Sequence, residues 1–304
     1  MRIDCPYCLS SEVRKRGFSR LGEQRYECRE CGKYYNTTTG NIVMDNPKIL
    51  VFDIETSPIQ VFVWNLYPKF VSTESVIQDW FVLSWAAKWL DEKKVMSAVL
   101  TSKEAKNCDD SRIVMKVWEL LNEADIVIAH NGDRFDISRL NSRFLEHGLL
   151  PPLPYKSIDT LKSVRRVFGF TSNKLDYLTK KLSIGKKLKT GYQLWLDCVK
   201  GDTSSLRTMV KYNVHDVKIL EDFYYKLRPW IPNHPNLGLY SANVQHAPCP
   251  VCGHKVIISK SKVATTPAYS WKVYRCSNPE CGHTGRTKIR ANKSRENNSK
   301  LIAR

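Results

Sequence analysis

The sequence predicts an α/β protein, a mixed β-sheet flanked by helices, with a small cysteine-rich ribbon at each end of the chain. Two observations carry this prediction. Short β-branched runs come first in the central region and then alternate with amphipathic helical stretches, the order expected for a mixed sheet covered by helices. Eight of the ten cysteines fall into two quartets, one near each end. We therefore expect three segments, residues 1–46, 47–240 and 241–304.

The central segment supplies most of its strands before its helices. We expect strands in five hydrophobic, β-branched runs, at residues 49–55, 59–67, 80–90, 94–100 and 124–131. We expect helices where apolar residues recur every three or four positions, at residues 109–124, 136–148, 173–183 and 205–227. The Pro-rich stretch "GLLPPLPY" is interpreted as a connection.

Composition indicates a folded chain with one main core and small appendages. The 304 residues are 42% hydrophobic and 26% charged, which suits a globular protein. No apolar run reaches the roughly 18 residues of a membrane-spanning helix, so we expect no membrane partner. The N-terminal "MRIDCPYC" lacks the apolar core of a secretory signal. We therefore expect a cytoplasmic protein in a reducing compartment.

The positive charge is concentrated toward the C-terminus. The formal net charge is +18 for the whole chain, of which residues 241–304 contribute +10, with twelve basic and two acidic residues. Basic residues placed on phosphates release condensed counterions, so nucleic acid is the natural partner for such a segment. A solvated basic surface without a specific partner is the alternative.

Each cysteine quartet predicts a structural zinc site. Two close pairs separated by about 20 residues can supply four thiolates from two tight turns, a closed tetrahedral set with no open position for water. Free thiols or disulfides are the alternative, and a reducing compartment disfavours disulfides. Gly32, Gly253 and Gly282 follow ligand cysteines, where a turn often needs positive φ. The sequence thus predicts two Zn²⁺ ions, held by Cys5, Cys8, Cys28 and Cys31 and by Cys249, Cys252, Cys276 and Cys281.

Both ribbons interleave basic and aromatic residues. The first, with the run "CPYC...VRKRGFSR...QRYECRECGK", resembles zinc ribbons that precede some bacterial transposase DNA-binding regions. The second, "CPVCG...YRCSNPECGHTGRTK", is similar to the ribbons at the C-terminal end of bacterial type I topoisomerases, which bind single-stranded DNA. Such surfaces suit phosphate contacts and base stacking. The alternative is that the aromatic residues pack the small ribbon cores.

Two acids interrupt the first predicted strand of the central segment. Side chains alternate along a strand, so Asp53 and Glu55 project from the same face as Val51. Phe52 and Ile54 project from the other face. Two carboxylates this close need a counter-ion, because desolvating unpaired charges is costly. A divalent cation meets that need, and a structural network with Lys or Arg is the alternative.

Further polar residues follow other elements of the same segment. Asn131 ends a predicted strand, and Asp136 starts the helix after it. Tyr212 and Asp216 are four residues apart in a helical pattern, so they lie one turn apart on one face. These additional acids make the metal site the favoured interpretation.

Together these residues resemble, in order and type, the DEDD superfamily of 3′-to-5′ exonucleases with the RNase H-like fold. The resemblance is to the tyrosine subclass, which includes the proofreading domains of family A and family B DNA polymerases. The histidine subclass does not fit, because Lys211 stands where it requires a histidine. The matching motifs are D-x-E, N-x3-F-D and Y-x3-D, here Asp53 and Glu55, Asn131 with Phe135 and Asp136, and Tyr212 with Asp216.

The resemblance implies hydrolysis of phosphodiester bonds with two Mg²⁺ or Mn²⁺ ions, which stabilise the attacking and leaving oxygens of an in-line displacement. Hard oxygen ligands favour these ions over zinc. By the resemblance Asp53 bridges both ions. Glu55 and Asp216 hold the ion that activates water, and Asp136 supports the other. Tyr212 orients the water, since a phenol of ordinary pKa, about 10, is a poor base.

Other residues near the motifs have less definite roles. Thr56 and Asn131 are candidate substrate-binding residues at two strand ends. Asp159 and Asp176 are interpreted as helix-cap or framework acids. The loop "IGKKLKTG" (residues 184–191) is either a substrate-contacting loop or a solvated one.

The function predicted from the sequence is a stand-alone metal-dependent 3′-to-5′ exonuclease. Its partner is nucleic acid, with DNA favoured over RNA, and the two ribbons help to hold it. Stand-alone exonucleases of this type look like those found in bacteriophages and bacteria. Two alternatives stay open, an RNase H-like structure-specific endonuclease and a zinc-ribbon DNA-binding protein that uses the nuclease fold as a scaffold.

Overall fold

The computed structural model describes most of the chain and divides it into two compact units. One unit is Met1–Asn46 with Tyr240–Asn243, and the other is Pro47–Leu239 with Val244–Arg304. The basic tail beyond residue 291 lies outside the described residues. Among those residues no helix is both long and apolar enough to cross a membrane. The described residues are 5, 8, 10–18, 24–36, 47–240, 248–266 and 269–291.

The N-terminal ribbon is a three-stranded antiparallel sheet, β1 (Val13–Phe18), β2 (Gln24–Cys28) and β3 (Tyr34–Asn36). Its small core contains Cys5, Tyr26 and Cys28. In the part of the ribbon that the structure describes, this core is too small to hold a fold by burial alone. The ribbon therefore depends on its cysteines.

Residues 47–239 of the second unit contain the predicted mixed sheet. Its strands lie in the order β10, β9, β4, β7, β8. β9 is parallel to β4 and β10, whereas β7 is antiparallel to β4 and β8. A separate short pair, β5 and β6, lies outside this sheet. The strands of this region are β4 (Ile49–Thr56), β5 (Gln60–Val61), β6 (Val76–Gln78), β7 (Val82–Trp89), β8 (Met96–Val99), β9 (Ile126–Ala129) and β10 (Lys156–Asp159).

Helices cover both faces of the sheet. Phe52 packs in a core cluster with residues of α1, α2, α3 and α6, and Val51 packs in a second cluster with residues of α4, α5 and α7. This separation confirms the alternation expected for β4. The long helix α7 contributes its first turns to one cluster and the rest to the other. The helices are α1 (Ser102–Lys106), α2 (Ser111–Glu123), α3 (Asp136–Glu146), α4 (Thr160–Val167), α5 (Leu175–Lys181), α6 (Tyr192–Val199) and α7 (Thr203–Leu227).

The predicted strand at residues 59–67 is largely wrong, because only Gln60–Val61 is extended and paired. Its partner is the short β6 rather than a strand of the main sheet, and the apolar residues that follow Val61 stay exposed. A hydrophobic run becomes a long strand only where a sheet and a core are present to receive it. Here neither is present.

The C-terminal ribbon is a three-stranded antiparallel sheet that packs on the end of α7. Its strands are β11 (Val256–Thr265), β12 (Ser270–Cys276) and β13 (Thr284–Arg290). The Leu237 amide donates to the carbonyl of Pro250 (2.8 Å), and Nδ1 of His283 lies 2.9 Å from the carbonyl of Pro229. The ribbon is thereby attached to the segment that follows α7.

Candidate active site

The acids of β4 and α7 converge on one face of the sheet. Asp53 and Glu55 project toward α7, the face that Val51 also occupies. Carboxylate oxygens of Asp53, Glu55 and Asp216 all lie within 4.8 Å of one another. Residues 53 and 216 are far apart in sequence, so the fold, and not local geometry, brings these three carboxylates together.

Asp53 is held by a side chain of α7. Nδ2 of Asn213 donates to Oδ2 of Asp53 (2.6 Å) and lies 3.2 Å from the Asp53 carbonyl. Oδ1 of Asn213 accepts from Oγ of Ser84 on β7 (3.2 Å). Asn213 is fully buried. It therefore fixes the Asp53 carboxylate between two strands and the helix before any ligand arrives.

Glu55 is held by the helix before α7. Nε1 of Trp195, on α6, donates to Oε2 of Glu55 (3.3 Å). The Trp195 ring also meets the Tyr212 ring edge-on, with centroids 6.0 Å apart. This indole thus forms one wall of the site and contacts both an acid and the tyrosine.

Asp216 and Tyr212 lie one turn apart on α7, as predicted. Nζ of Lys187 donates to Oδ2 of Asp216 (2.5 Å) and lies 3.4 Å from the hydroxyl of Tyr212. Oδ1 of Asp216 is buried, and no described residue forms a hydrogen bond with it. A buried carboxylate oxygen left without a partner is costly, and it marks where a ligand of the site would bind.

Asp136 reaches the site through the backbone of β4. It is the first residue of α3 and is buried. β9 pairs with β4 only as far as Val51, and no other strand of the described residues pairs with the next part of that edge of β4. Oδ1 of Asp136 accepts the amide of Ile54 there (3.1 Å). Asp136 is thus anchored between Asp53 and Glu55, outside the group of three converging carboxylates.

A sharp turn after β9 brings α3 to this position. Asn131 has φ of 72°, a left-handed conformation that asparagine tolerates better than most residues. Its amide donates to Oδ1 of Asp159 (3.0 Å), and Asp159 also caps α4 through the amides of Leu161 and Lys162. The interpretation of Asp159 as a cap is confirmed. A Cβ on Gly132 would lie 2.3 Å from Cβ of Ala129, so glycine is required in this turn.

Of the two candidate substrate-binding residues, Thr56 is the last residue of β4, whereas Asn131 does not end a strand as predicted but lies in the turn two residues beyond the end of β9. Thr56 ends β4 at a β-bulge, where it pairs with Val82, and it is half-buried. Asn131 is half-buried as well. Their role in substrate binding stays a prediction.

The positive charge next to Asp53, Glu55, Asp136 and Asp216 is too small for all four carboxyl groups to ionise easily. Desolvation raises the pKa of Asp53 well above its usual value, and Asp136 and Glu55 add to the shift. Desolvation also raises the pKa of Glu55 to about 7 and that of Asp136 to about 7. Four carboxylates around one lysine form a strongly acidic site, and a cation would relieve it.

Desolvation opposes the charge of Lys187, but the carboxylates of Asp216 and Asp53 outweigh it and raise the lysine pKa. Lys187 therefore stays protonated and partly neutralises Asp216.

The donor set fits a divalent cation. Asp53, Glu55 and Asp216 offer oxygens within 4.8 Å of one another, and oxygen ligands are those that Mg²⁺ and Mn²⁺ prefer. The unpartnered Oδ1 of Asp216 has the position and chemistry of a metal ligand. These residues are therefore suited to hold a cation that would neutralise the site.

Three residues of the site were not identified from the sequence. Lys187 belongs to the loop at residues 184–191, for which both a substrate-contacting and a solvated role were open. Trp195 is on α6, a helix that was not predicted. Asn213 was inside a predicted helix, and its burial, which requires a hydrogen-bond partner for the amide, is known only from the structure.

The two cysteine quartets each have the geometry of a zinc site. Sγ atoms are 3.6 Å apart for Cys5 and Cys31 and 3.4 Å apart for Cys252 and Cys276. Four sulfurs placed tetrahedrally around zinc at about 2.3 Å would be about 3.8 Å apart, whereas a disulfide requires about 2.05 Å. The glycines at 32, 253 and 282 all have positive φ, as predicted. Both quartets thus fit structural zinc.

Comparison with known proteins matches two regions of the chain. A family model described as an Ogr/Delta-like zinc finger matches residues 248–292, the C-terminal ribbon. A DNA polymerase III PolC-type of Ureaplasma parvum serovar 3 is 29% identical over 171 residues, which are 51% of this chain and 11% of that protein. The chain thus corresponds to about a tenth of the length of this relative.

A solved structure of the family B DNA polymerase from the hyperthermophilic archaeon Pyrobaculum calidifontis superposes with a TM-score of 0.45 and 16% identity, over 77% of this chain and 31% of that one. The family model described as the RNase H superfamily matches residues 70–228. That match covers more than half of the chain and includes the mixed sheet from β7 onward with the seven α-helices of the described residues. The chain therefore belongs to the RNase H superfamily.

Proposed function

We propose that this chain is a metal-dependent 3′-to-5′ exonuclease that hydrolyses phosphodiester bonds of nucleic acid, with DNA favoured over RNA. The observation that carries the proposal is the convergence of Asp53, Glu55 and Asp216 within 4.8 Å, with Tyr212 one turn from Asp216. Membership of the RNase H superfamily and the similarity to a DNA polymerase III PolC-type support it.

Four acids hold the catalytic cations in this proposal. Asp53, Glu55 and Asp216 would hold the cation that activates water, and Asp136 would support a second one from its anchor on the Ile54 amide. Two Mg²⁺ or Mn²⁺ ions bound there would stabilise the attacking and leaving oxygens of an in-line displacement. Asn213 and Trp195 keep the carboxylates of Asp53 and Glu55 in position.

Tyr212 positions the attacking water as a hydrogen-bonding group. Desolvation raises its pKa above the usual value, so the hydroxyl stays protonated at neutral pH and does not act as a general base. Its contact with Lys187 and Trp195 restricts the ring. Lys187 gives the site a positive charge next to Asp216, where it can meet a phosphate oxygen.

The zinc ribbons assist substrate binding in this proposal. Basic side chains of the C-terminal ribbon include Lys272 and Arg275 on β12 and Arg286 and Lys288 on β13. The guanidinium of Arg286 lies over the Trp271 ring, 5.3 Å from its centroid. Positive groups next to an aromatic ring suit contact with a nucleic-acid strand.

The experiment is a nuclease assay with Mg²⁺ or Mn²⁺ on a 5′-labelled single strand, with Asp53→Asn compared with the wild type. We expect a ladder that shortens from the 3′ end, blocked by a modified 3′ terminus and lost in Asp53→Asn. Asp133→Asn is the control, since Asp133 lies near the site but pairs with Lys162. Activity that survives Asp53→Asn, or cleavage of circular DNA, would contradict the proposal.

A further inference from the structure

A long excursion leaves the sheet directly after the acids of β4. We call residues 58–80 the aromatic arm. Its root is closed by two hydrogen bonds, from the Ser57 amide to the Phe81 carbonyl (2.9 Å) and from the Phe81 amide to Oγ of Ser57 (3.0 Å). Above the root, β5 pairs with β6, and the Phe62 amide donates to the Ser75 carbonyl (3.0 Å). The arm thus has a fixed base and stem.

The tip of the arm presents aromatic rings to solvent. Four rings occur within nine residues, and their exposed fractions are 77% for Phe62, 104% for Trp64, 91% for Tyr67 and 84% for Phe70. The rings are therefore not packing a core. Large apolar side chains exposed together on a folded protein mark a binding surface.

The root of the arm adjoins the candidate active site. β4 carries Glu55 two residues before Ser57. At the other end of the arm, the Trp80 ring lies under the guanidinium of Arg139, 4.1 Å from the centroid, and the same guanidinium lies 5.5 Å from the Phe135 ring. Phe135 directly precedes Asp136. The arm is thus tied to both elements that supply acids to this edge of the sheet.

The tip of the arm carries no acid, whereas Glu74 and Asp79 lie on its returning side. From Ser57 to Thr73 the sequence contains no Asp or Glu, and Lys69 is its one charged residue. The acids of the candidate site repel a phosphate backbone, whereas the aromatic tip, within residues 57–73, does not.

We propose that the aromatic arm binds a single strand of nucleic acid by stacking its exposed rings on bases next to the candidate active site. The inference rests on the proposed function, because that function supplies the strand. Stacking needs unpaired bases whose faces are free, so the occupant is a single strand, of DNA or of RNA, and not a duplex. A stacking surface tolerates any sequence, as an enzyme that removes successive nucleotides requires.

Binding of a labelled strand of about 16 nucleotides, as DNA and as RNA, tests the proposal with the full chain and no divalent cation. We expect Trp64→Ala and Tyr67→Ala each to weaken binding roughly tenfold, while Trp64→Phe and Tyr67→Phe, which keep a ring, stay near the wild type. Leu66→Ala is the matched control, because Leu66 is equally exposed on the same arm but cannot stack. The salt dependence should not change in Trp64→Ala, since no phosphate contact is lost.

A small substrate separates this proposal from the proposed function. The p-nitrophenyl ester of a nucleoside monophosphate is too short to reach the arm, so Trp64→Ala should hydrolyse it at the wild-type rate. If the wild type fails to hydrolyse both ester and strand while the binding differences hold, the nuclease proposal fails and the arm proposal stands. Unchanged strand affinity in both alanine variants would overturn the arm proposal. An equal loss in Leu66→Ala would overturn it too, and would indicate an apolar protein partner.

Discussion

The carboxylate cluster of the sheet and the thiolate cluster of the C-terminal ribbon are both suited to a metal, but they are built in opposite ways. The carboxylates stand on β4 and α7, which are buried in large core clusters, and their oxygens already contact Asn213, Trp195 and Lys187. The thiolates stand on two tight turns whose buried cluster contains Val251 as its one fully buried residue other than cysteine.

The difference separates ligands that are in place before a metal binds from ligands that a metal would have to hold together. Where core packing holds the ligands, a metal can leave and return without unfolding the protein. Where the metal replaces a core, its removal is the loss of the fold. Chemistry requires the first kind, because catalytic ions must accept and release ligands with each turnover.

The largest effect should come from breaking the thiolate cluster. Structural zinc in small ribbons contributes about 10–16 kcal/mol, so Cys252→Ser should unfold the C-terminal ribbon while the sheet domain stays folded. Limited proteolysis should then cut within residues 248–291, and the zinc content should fall. Cys108→Ser, at a half-buried cysteine outside both quartets, should change neither. Loss of the sheet domain's melting transition would contradict the comparison.

Gly132→Ala should break the scaffold of the carboxylate cluster instead. The new Cβ would lie 2.3 Å from Cβ of Ala129, and overpacking of this kind typically costs about 1–3 kcal/mol. Because the turn places Asp136, nuclease activity should fall as well. Urea unfolding measures the first effect. Gly169→Ala, with no atom within 4 Å of the new Cβ, should be neutral, and a neutral Gly132→Ala would show that the turn adapts.

Lys187→Met should sharpen the claim that the acidic site waits for a cation. Lys187 pairs with Asp216 and competes with a divalent ion for the same carboxylate. Its loss should lower the stability of the metal-free protein and tighten Mg²⁺ binding roughly fivefold, about 1 kcal/mol. Thermal melting against Mg²⁺ concentration measures both. Lys189→Met is the control, an exposed lysine of the same loop. Weaker Mg²⁺ binding in Lys187→Met would show that the lysine supports the ion.

The last effect concerns pH. Desolvation raises the pKa of Glu55 and of Asp136 to about 7 in the metal-free protein. Between their ordinary values and about 7 the native state keeps protons that the unfolded chain has released, so the free energy of unfolding falls as the pH rises through this range. Bound Mg²⁺ should remove the effect, and the rise in melting temperature on adding Mg²⁺ should be larger above this range than below it. An equal rise at both ends would contradict it.

The alternation of β4 explains why part of the site could be predicted. Side chains alternate along a strand with a period of two residues, which places Asp53 and Glu55 on one face of β4. The helical period of 3.6 residues places Tyr212 and Asp216 on one face of α7. These regularities belong to the local chain and survive in any fold that keeps the elements. The resemblance then supplied Asp136, whose position depends on a turn.

The missed parts of the site lack a regular pattern. Lys187 lies in a loop, where no periodicity fixes the direction of a side chain. Trp195 lies on α6, whose N-cap Gly191 makes no side-chain cap, so the sequence offered no start signal. The strand predicted at residues 59–67 is the opposite case, a regular pattern that misled the prediction. Its apolar residues pack against no core of the described residues, and hydrophobicity alone could not distinguish an exposed arm from a buried strand.

Helix α7 sets the orientation of the C-terminal ribbon relative to Asp216. Asp216 and the end of the helix at Leu227 are eleven residues apart, a rise of about 16 Å, and the ribbon is attached just beyond through His283 and Pro229. One residue inserted between them would advance the ribbon by about 1.5 Å and turn it by about 100° around the helix axis. The number of residues between Asp216 and Leu227 therefore determines which side of the C-terminal ribbon faces in the same direction as the acids.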